Sequence, residues 1–510
     1  MIRKDKKIVS PILMFIILTF IVIVVSGILS FFNVQAEYVS VNIISNELEN
    51  NVVQVENLFS GEGFKYILTN SVKDFVNFTP LSMLLITLIG IGVLEKTGFL
   101  KTVFTLLTKN AKKNTITFTL IFISLMFSLV GDLGFVIMLP IGALLFKYGR
   151  RNPLGGIIAS FAACSFGYSI NLIMNASDST LLSMTLNAAK ILDPKYTIST
   201  LFSLFIMLSA LIIFSFVFTY VTERIIIPKL KKYELEEEEF KITNKELRGL
   251  IVGLGAGVLY LLVIIYMIVP GLPLSGGLLD NSAALYIDKV FGANSLFNQG
   301  FVFIVAVFFF IMGVFYGLMT KSIKSSKDIS DCLAYSLDGI GSIIVLIFFS
   351  SLFISVLKET NIGLVLTGLL SNLISELNLT GITLIMVLIV VTLISNIFYP
   401  SKALKWSILS GVTVPMFMNA SLSPEFAQIV YVAGESITKG ITPALSYFVI
   451  YLAFLEKYNQ NENISLFGSL KYMFPYSVST MVIWTSLILV FYITGLPIGI
   501  NAFPGVSYVS

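Results

Sequence analysis

Residues 395–406 read SNIFYPSKALKW, and the reading of this stretch decides the fold. It interrupts an apolar run over 381–394 and is followed by a second over 407–418. Each run is shorter than the roughly 20 residues an α-helix needs to cross a bilayer. Asn396 and Pro400 suit a turn, and Lys402 and Lys405 place two cations at membrane depth. Backbone that leaves helical geometry in lipid is tolerated only inside protein or beside a water-filled cavity, and ionisable groups there are costly. The stretch is therefore read as the tip of a helical hairpin over 381–418, entering the membrane and leaving by the same face. One long kinked helix with snorkelling lysines is the competing reading.

Working outward, the whole chain has the composition this implies. Of its 510 residues 56% are hydrophobic and only 12% charged, against about 25% charged in soluble domains. The fold class is an all-α polytopic membrane protein. There is no histidine, which excludes histidine proton relays, HExxH zinc sites and Ser-His-Asp catalysis. Cys164 and Cys332 lie in apolar runs and match no metal or redox spacing. No cofactor is implied beyond a coupling ion, and nothing points to nucleic acid.

Charge then orients the spans, because cytoplasmic loops are enriched in Lys and Arg. The run 9–32 follows Arg3, Lys4, Lys6 and Lys7 and reads as a retained first helix with a cytoplasmic amino terminus. The segment 33–62 is acidic (Glu37, Glu47, Glu49, Glu56) and is placed outside. A short interfacial helix near 63–78 precedes an inward crossing at 80–94. Two short runs, 115–130 and 135–146, flank Gly131-Asp132-Leu133-Gly134 and are basic at both outer ends. They read as a second re-entrant hairpin, over 115–146, entered from the cytoplasm with Asp132 at its tip. Crossings follow at 153–182, 199–221, 250–269, 301–318 and 340–356, then a short helix at 363–374. After the hairpin at 381–418 come crossings at 424–455 and 476–493, which leaves the carboxyl terminus outside. The result is nine transmembrane helices and two hairpins in one domain, 1–510. Its first half covers about 60–270 and its second about 300–497.

The halves share a plan. Each hairpin is followed by a crossing with a polar interruption: Asp132 precedes Asp178 by 46 positions, and Asn396 precedes Pro443 by 47. One hairpin enters from inside and the other from outside, as an inverted repeat requires. Such repeats place substrate and ion sites at midplane, where broken helices meet.

Seven stretches then carry a resemblance: SGEGFKYILTN from Ser60, PLSMLLITLIGIGVLEKTGFL from Pro80, GDLGFVIMLP from Gly131, NPLGGIIASFAACSFGYSINL from Asn152, ILDPKYTIS from Ile191, KALKWSILSGVTVPMFM from Lys402 and ITPALSYF from Ile441. Through them the chain resembles the p-aminobenzoyl-glutamate transporter (AbgT) family of secondary transporters. The resemblance implies a homodimer in the bacterial plasma membrane, with no enzymatic activity. It implies transport of p-aminobenzoyl-glutamate-like folate fragments, export of sulfonamide-type antimetabolites, and coupling to Na+ or H+. By matching motif positions, Asp178, Asn396, Trp406 and Pro443 fall where transport-critical residues lie. Three positions depart from the family pattern: Val432 replaces an arginine, Lys439 an asparagine, and Lys402 a small residue.

The candidates divide by chemistry. Asp178, Asp132, Asn171 and Asn396 offer oxygen atoms to a coupling cation, with Na+ expected near Asn171 and Asn396; capping and turn roles compete with this reading. Trp406 suits stacking on an aromatic substrate, or an ordinary core position. Lys402 and Lys405 suit an anion. Glu435 and Lys439, four apart, suit a helical ion pair. Two further readings stay open: another small organic anion, dicarboxylate-like, on the same scaffold, and an intramembrane aspartyl protease using Asp132 and Asp178. The protease reading lacks its Gly-x-Gly-Asp motif.

Overall fold

The computed structural model describes residues 9–41, 48–234, 242–283, 286–292, 294–377, 379–460, 462 and 464–505. The basic residues at 3–7 and Glu47, used above, lie outside these. The chain opens with α1 (Pro11–Phe31), β1 (Gln35–Val41), β2 (Leu48–Gln54), α2 (Gly61–Val76), α3 (Thr79–Thr97) and α4 (Phe99–Thr108). The first half continues through α5 (Lys113–Met126), α6 (Leu133–Tyr148), α7 (Pro153–Phe166), α8 (Ala176–Ala189), α9 (Leu204–Val221) and α10 (Asn244–Ile268). Then come α11 (Tyr286–Phe291), α12 (Leu296–Thr320), α13 (Ser326–Tyr335), α14 (Gly341–Glu359) and α15 (Ile362–Glu376). The second half closes with α16 (Gly381–Phe398), α17 (Lys402–Asn419), α18 (Pro424–Lys439), α19 (Phe448–Lys457) and α20 (Leu466–Thr494).

Among the described residues nine helical segments are long and apolar enough to cross a membrane. The number equals the sequence-based one but the membership differs. Lys113–Val130 and Gly381–Phe398 each reach 18 residues, because helix continues past the apolar runs that bounded them. At 1.5 Å per residue that is about 27 Å, near the thickness of a hydrocarbon core. By contrast α7 and α18, the leading halves of the two interrupted crossings, have 14 and 16 residues. Every residue of both is buried. They are the centre of the protein and have no lipid face. Periphery looks different: α10 buries only Gly249, Gly253 and Gly257, one small residue per turn against α12. Glycine there lets two helices approach closely, as membrane helix pairs do.

The two interrupted crossings begin alike. Asn152 caps α7 ahead of Pro153, and Ser423 caps α18 ahead of Pro424; a polar cap followed by proline is a strong start signal. They also end alike, in breaks at 167–175 and 440–447. The second break meets the end of α7: a Cβ on Gly440 would lie 2.6 Å from both Ser165 Oγ and the Phe166 ring. Each break is tied to the turn of its own preceding helix pair. Ser128 donates to the Ile170 carbonyl at 2.9 Å, and Thr442 donates to the Ile397 carbonyl at 2.6 Å.

Segments assigned to one side of the membrane gather at one end. Arg151 donates to the Lys113 carbonyl (3.2 Å) and Thr117 Oγ1 (2.7 Å) and pairs with Glu223 at 2.5 Å. Asn152 donates to the Lys231 carbonyl, and Glu234 joins Gln460. At the other end the Ser423 amide donates to the Pro504 carbonyl and the Phe205 amide to that of Ile498.

Two sequence expectations need correction. The acidic segment after α1 was read as a loop; it contains an antiparallel ribbon pairing Gln35 with Gln54 through Val41 with Leu48. The last crossing was started after Pro475, but α20 runs through it. Proline inside a membrane helix is accommodated when neighbouring groups satisfy the freed backbone.

Candidate functional site

The short runs around the two breaks place charge at the centre. Lys402, the first residue of α17, is 5% exposed and reaches Asp178 Oδ1 at 2.8 Å. Asp178 stands at the third position of α8, where it forms a reciprocal cap with Asn175. Its other oxygen accepts from Asn171 Nδ2 at 2.6 Å. A carboxylate in the first turn of a helix is favoured by the helix dipole, whereas an ammonium is not. Lys402 at the start of α17 is therefore stabilised by Asp178 rather than by its own helix.

A second cluster lies one turn deeper. Glu435, fully buried, accepts from Lys439 at 3.2 Å and lies 3.8 Å from Lys405. Lys405 also donates to the side-chain oxygen of Asn396. The Asn396 amide in turn donates to the Glu435 carbonyl (3.0 Å) and Thr438 Oγ1 (3.2 Å). Lys439 sits 3.5 Å from the centroid of the Tyr168 ring, and the Tyr168 hydroxyl donates to Asp132 at 2.9 Å. The expected pair at spacing four, Glu435 and Lys439, is present.

Beside these clusters lies a cavity of about 300 Å³. Asp132 caps α6, Ser177 is in the first turn of α8, Ser401 caps α17 and Tyr447 caps α19, and all four line it. Residues at the starts of four helices therefore line one space, together with Lys402, Lys439 and Lys358. The positive dipole end of a helix start favours an anion. A second cavity of about 490 Å³ shares Asp132, Tyr168 and Ser177 with the first. Apart from Asn175 and Asn298 its further walls are apolar, with Met83, Ile173, Phe291, Phe297 and Phe301.

Of the residues singled out from sequence, Lys402, Lys439 and Asp132 line the first cavity. Asp178 and Asn171 line a separate void of about 20 Å³, which Val432 also lines. Asn171 and Asn396 share no hydrogen-bond partner, so the structure does not gather them into one Na+ site; at Asn396 a lysine ammonium holds the oxygen. Lys405 and Glu435 are buried away from the cavity. Trp406 is fully buried: its ring stacks on Tyr431 at 4.5 Å and its N–H donates to Thr185 at 2.9 Å. It joins α17 to α8 and α18. Pro443 is half-buried in the second break, next to cavity-lining Ala444. Sequence reading missed Tyr168, Tyr447 and Thr185. Tyr168 could have been found, since it stands between Gly167 and Ser169 in a break already marked as polar.

The AbgT family model, described as "AbgT putative transporter family", matches residues 3–505. The chain belongs to the AbgT transporter family. It is a membrane transporter and not an enzyme. It is 28% identical to the p-aminobenzoyl-glutamate transport protein of Escherichia coli (strain K12) over 507 residues, 99% of this chain and 96% of that one. Two AbgT structures are similar. The YdaH transporter of Alcanivorax borkumensis is 26% identical, with a TM-score of 0.49 over 96% of this chain and 100% of its own. MtrF of Neisseria gonorrhoeae, described within a class of antimetabolite efflux pumps, is 27% identical, with a TM-score of 0.49 over 98% of each chain. Val432, in α18, belongs to the same region. It lines the same void as Asp178, the carboxylate that Lys402 pairs with here.

Proposed function

We propose that this transporter carries p-aminobenzoyl-glutamate-like anions, with sulfonamide-type antimetabolites as further substrates, by cation-coupled alternating access. The observation that carries the reading is the meeting of four helix starts and three lysines at one cavity, which shares Asp132, Tyr168 and Ser177 with a second, largely apolar and aromatic one. The polar part suits carboxylates and the apolar part suits an aromatic ring. Both volumes are in the range of about 300–1,000 Å³ typical of small-molecule sites. A short dicarboxylate would use only the first cavity, so the phenylalanine-lined second one favours a substrate with a ring.

The scaffold we infer is an inverted repeat, with halves at about 60–270 and 300–497, in a homodimer in the bacterial plasma membrane. The pairs α5–α6 and α16–α17 are its re-entrant hairpins. The contact between Arg151 and the Lys113 carbonyl supports the first, since it joins the two outer ends of α5–α6. The shared start, break and turn-to-break hydrogen bond of the two halves support the repeat. The amino terminus is cytoplasmic and the carboxyl terminus external. Asp178, Asn171, Asp132 and Asn396 serve the coupling ion, Na+ or H+. Lys402 and Lys439 face the anion, Lys405 and Glu435 hold them in place, and Trp406 and Pro443 position α17 and the second break.

The test is uptake into proteoliposomes. Lys402→Ala should weaken transport of p-aminobenzoyl-glutamate at least tenfold, about 1.4 kcal/mol, and affect a neutral sulfonamide little. Equal loss for both would make Lys402 a structural lysine and remove the anion reading.

A further inference from the structure

Lys402 and its partner Asp178 border two different spaces. Lys402 lines the 300 Å³ cavity. Asp178 lines the 20 Å³ void, with Ser169, Asn171 and Gln428. The void has room for one water-sized occupant, which needs about 10–15 Å³. Asn171 is 6% exposed, and its amide nitrogen is committed to Asp178. That bond fixes which end of the amide is the oxygen. The oxygen is buried and, among the described residues, accepts no hydrogen bond. A buried acceptor left unmatched is costly. A carboxylate and an amide oxygen side by side are the donor set that hard cations choose. Yet the ammonium of Lys402, 2.8 Å from Asp178, already cancels the carboxylate's charge and would repel a second cation.

We propose that Lys402 makes Na+ binding at Asp178 and Asn171 conditional on an anion in the cavity. With the cavity free of anion, Lys402 pairs with Asp178 and the carboxylate takes no ion from solution. When a carboxylate enters among the four helix termini, the flexible lysine stem turns its ammonium to the anion. Asp178 is uncovered, and a Na+-sized ion binds between its freed oxygen and the Asn171 oxygen. Each ligand then raises the affinity for the other, because such coupling is reciprocal. The anion half of this scheme rests on the function proposed above; the cation half rests on Asn171, Asp178 and Lys402 alone.

The experiment melts the purified full-length protein near neutral pH while NaCl replaces choline chloride at constant ionic strength. It is run with and without p-aminobenzoyl-glutamate. Wild type should show no Na+-specific rise in Tm alone and a saturable rise once the anion is present. Lys402→Ala and Lys402→Met should show that rise without anion, and adding Asn171→Ala or Asp178→Asn should remove it. If neither lysine variant survives purification, binding of radioactive Na+ to wild type with and without the anion decides the matter. A Na+-specific effect on wild type without anion, or none in the lysine variants, overturns the proposal. So does stabilisation by acid in place of Na+. If the lysine variants gain the rise but p-aminobenzoyl-glutamate does not promote it in wild type, the cation site is upheld and the anion's identity fails.

Discussion

Glu435→Gln removes one charge and almost no volume at the centre of the protein. Glu435 Oε1 lies 3.2 Å from Lys439 Nζ and 3.8 Å from Lys405 Nζ, with all three side chains 5% exposed or less. At an effective dielectric constant near 20 those separations correspond to about 5 and about 4 kcal/mol of gross attraction. Desolvation offsets much of it, but the substitution leaves two ammonium groups buried without their carboxylate. Breaking a buried ion pair in this way costs about 3–5 kcal/mol. The apparent melting temperature, followed by size-exclusion of the heated, detergent-purified protein, should fall by roughly 5 °C or more. Adding Lys439→Met should restore at least half, since it removes the ammonium nearest the lost charge. A single variant melting within about 1 °C of wild type, or a double variant no better than the single, would show that the three groups do not form an ionised cluster.

Two more outcomes follow from the same structure. Asp178→Asn leaves Lys402 without its partner and should both lower the melting temperature and abolish concentrative uptake; Asp178→Asn with Lys402→Met should recover the first and not the second, as paired melting and uptake assays would show. Single cysteines at Asn114 and Arg150 should be labelled from the same, cytoplasmic side, and those at Thr380 and Asn419 from outside. The native Cys164 and Cys332 are buried and give little background; opposite-side labelling within either pair would turn that hairpin into ordinary spans.

Local features were legible in the sequence and distant partnerships were not. The break after Phe398 was marked by Asn396, Pro400 and two lysines in an apolar context, and the pair Glu435–Lys439 by its spacing on one helix. The partner of Lys402 was not readable, because Asp178 lies 224 positions away and only tertiary packing joins them. The sequence leaves Trp406 two roles, stacking on a substrate ring or packing, and its nearest ring in the structure is that of Tyr431. The ribbon at 35–54 was missed because Glu37, Glu49, Asn50 and Asn51 blur its alternation. Pro475 misled because the rule that proline ends helices is weaker when protein surrounds the helix.

The most direct measurement is uptake of radiolabelled p-aminobenzoyl-glutamate into proteoliposomes under separately imposed Na+ and H+ gradients. Saturable accumulation against the substrate's own gradient, driven by one of the two ions and lost in Asp178→Asn, is the expected result. Flux that neither saturates nor responds to either ion would contradict cation-coupled transport of this anion.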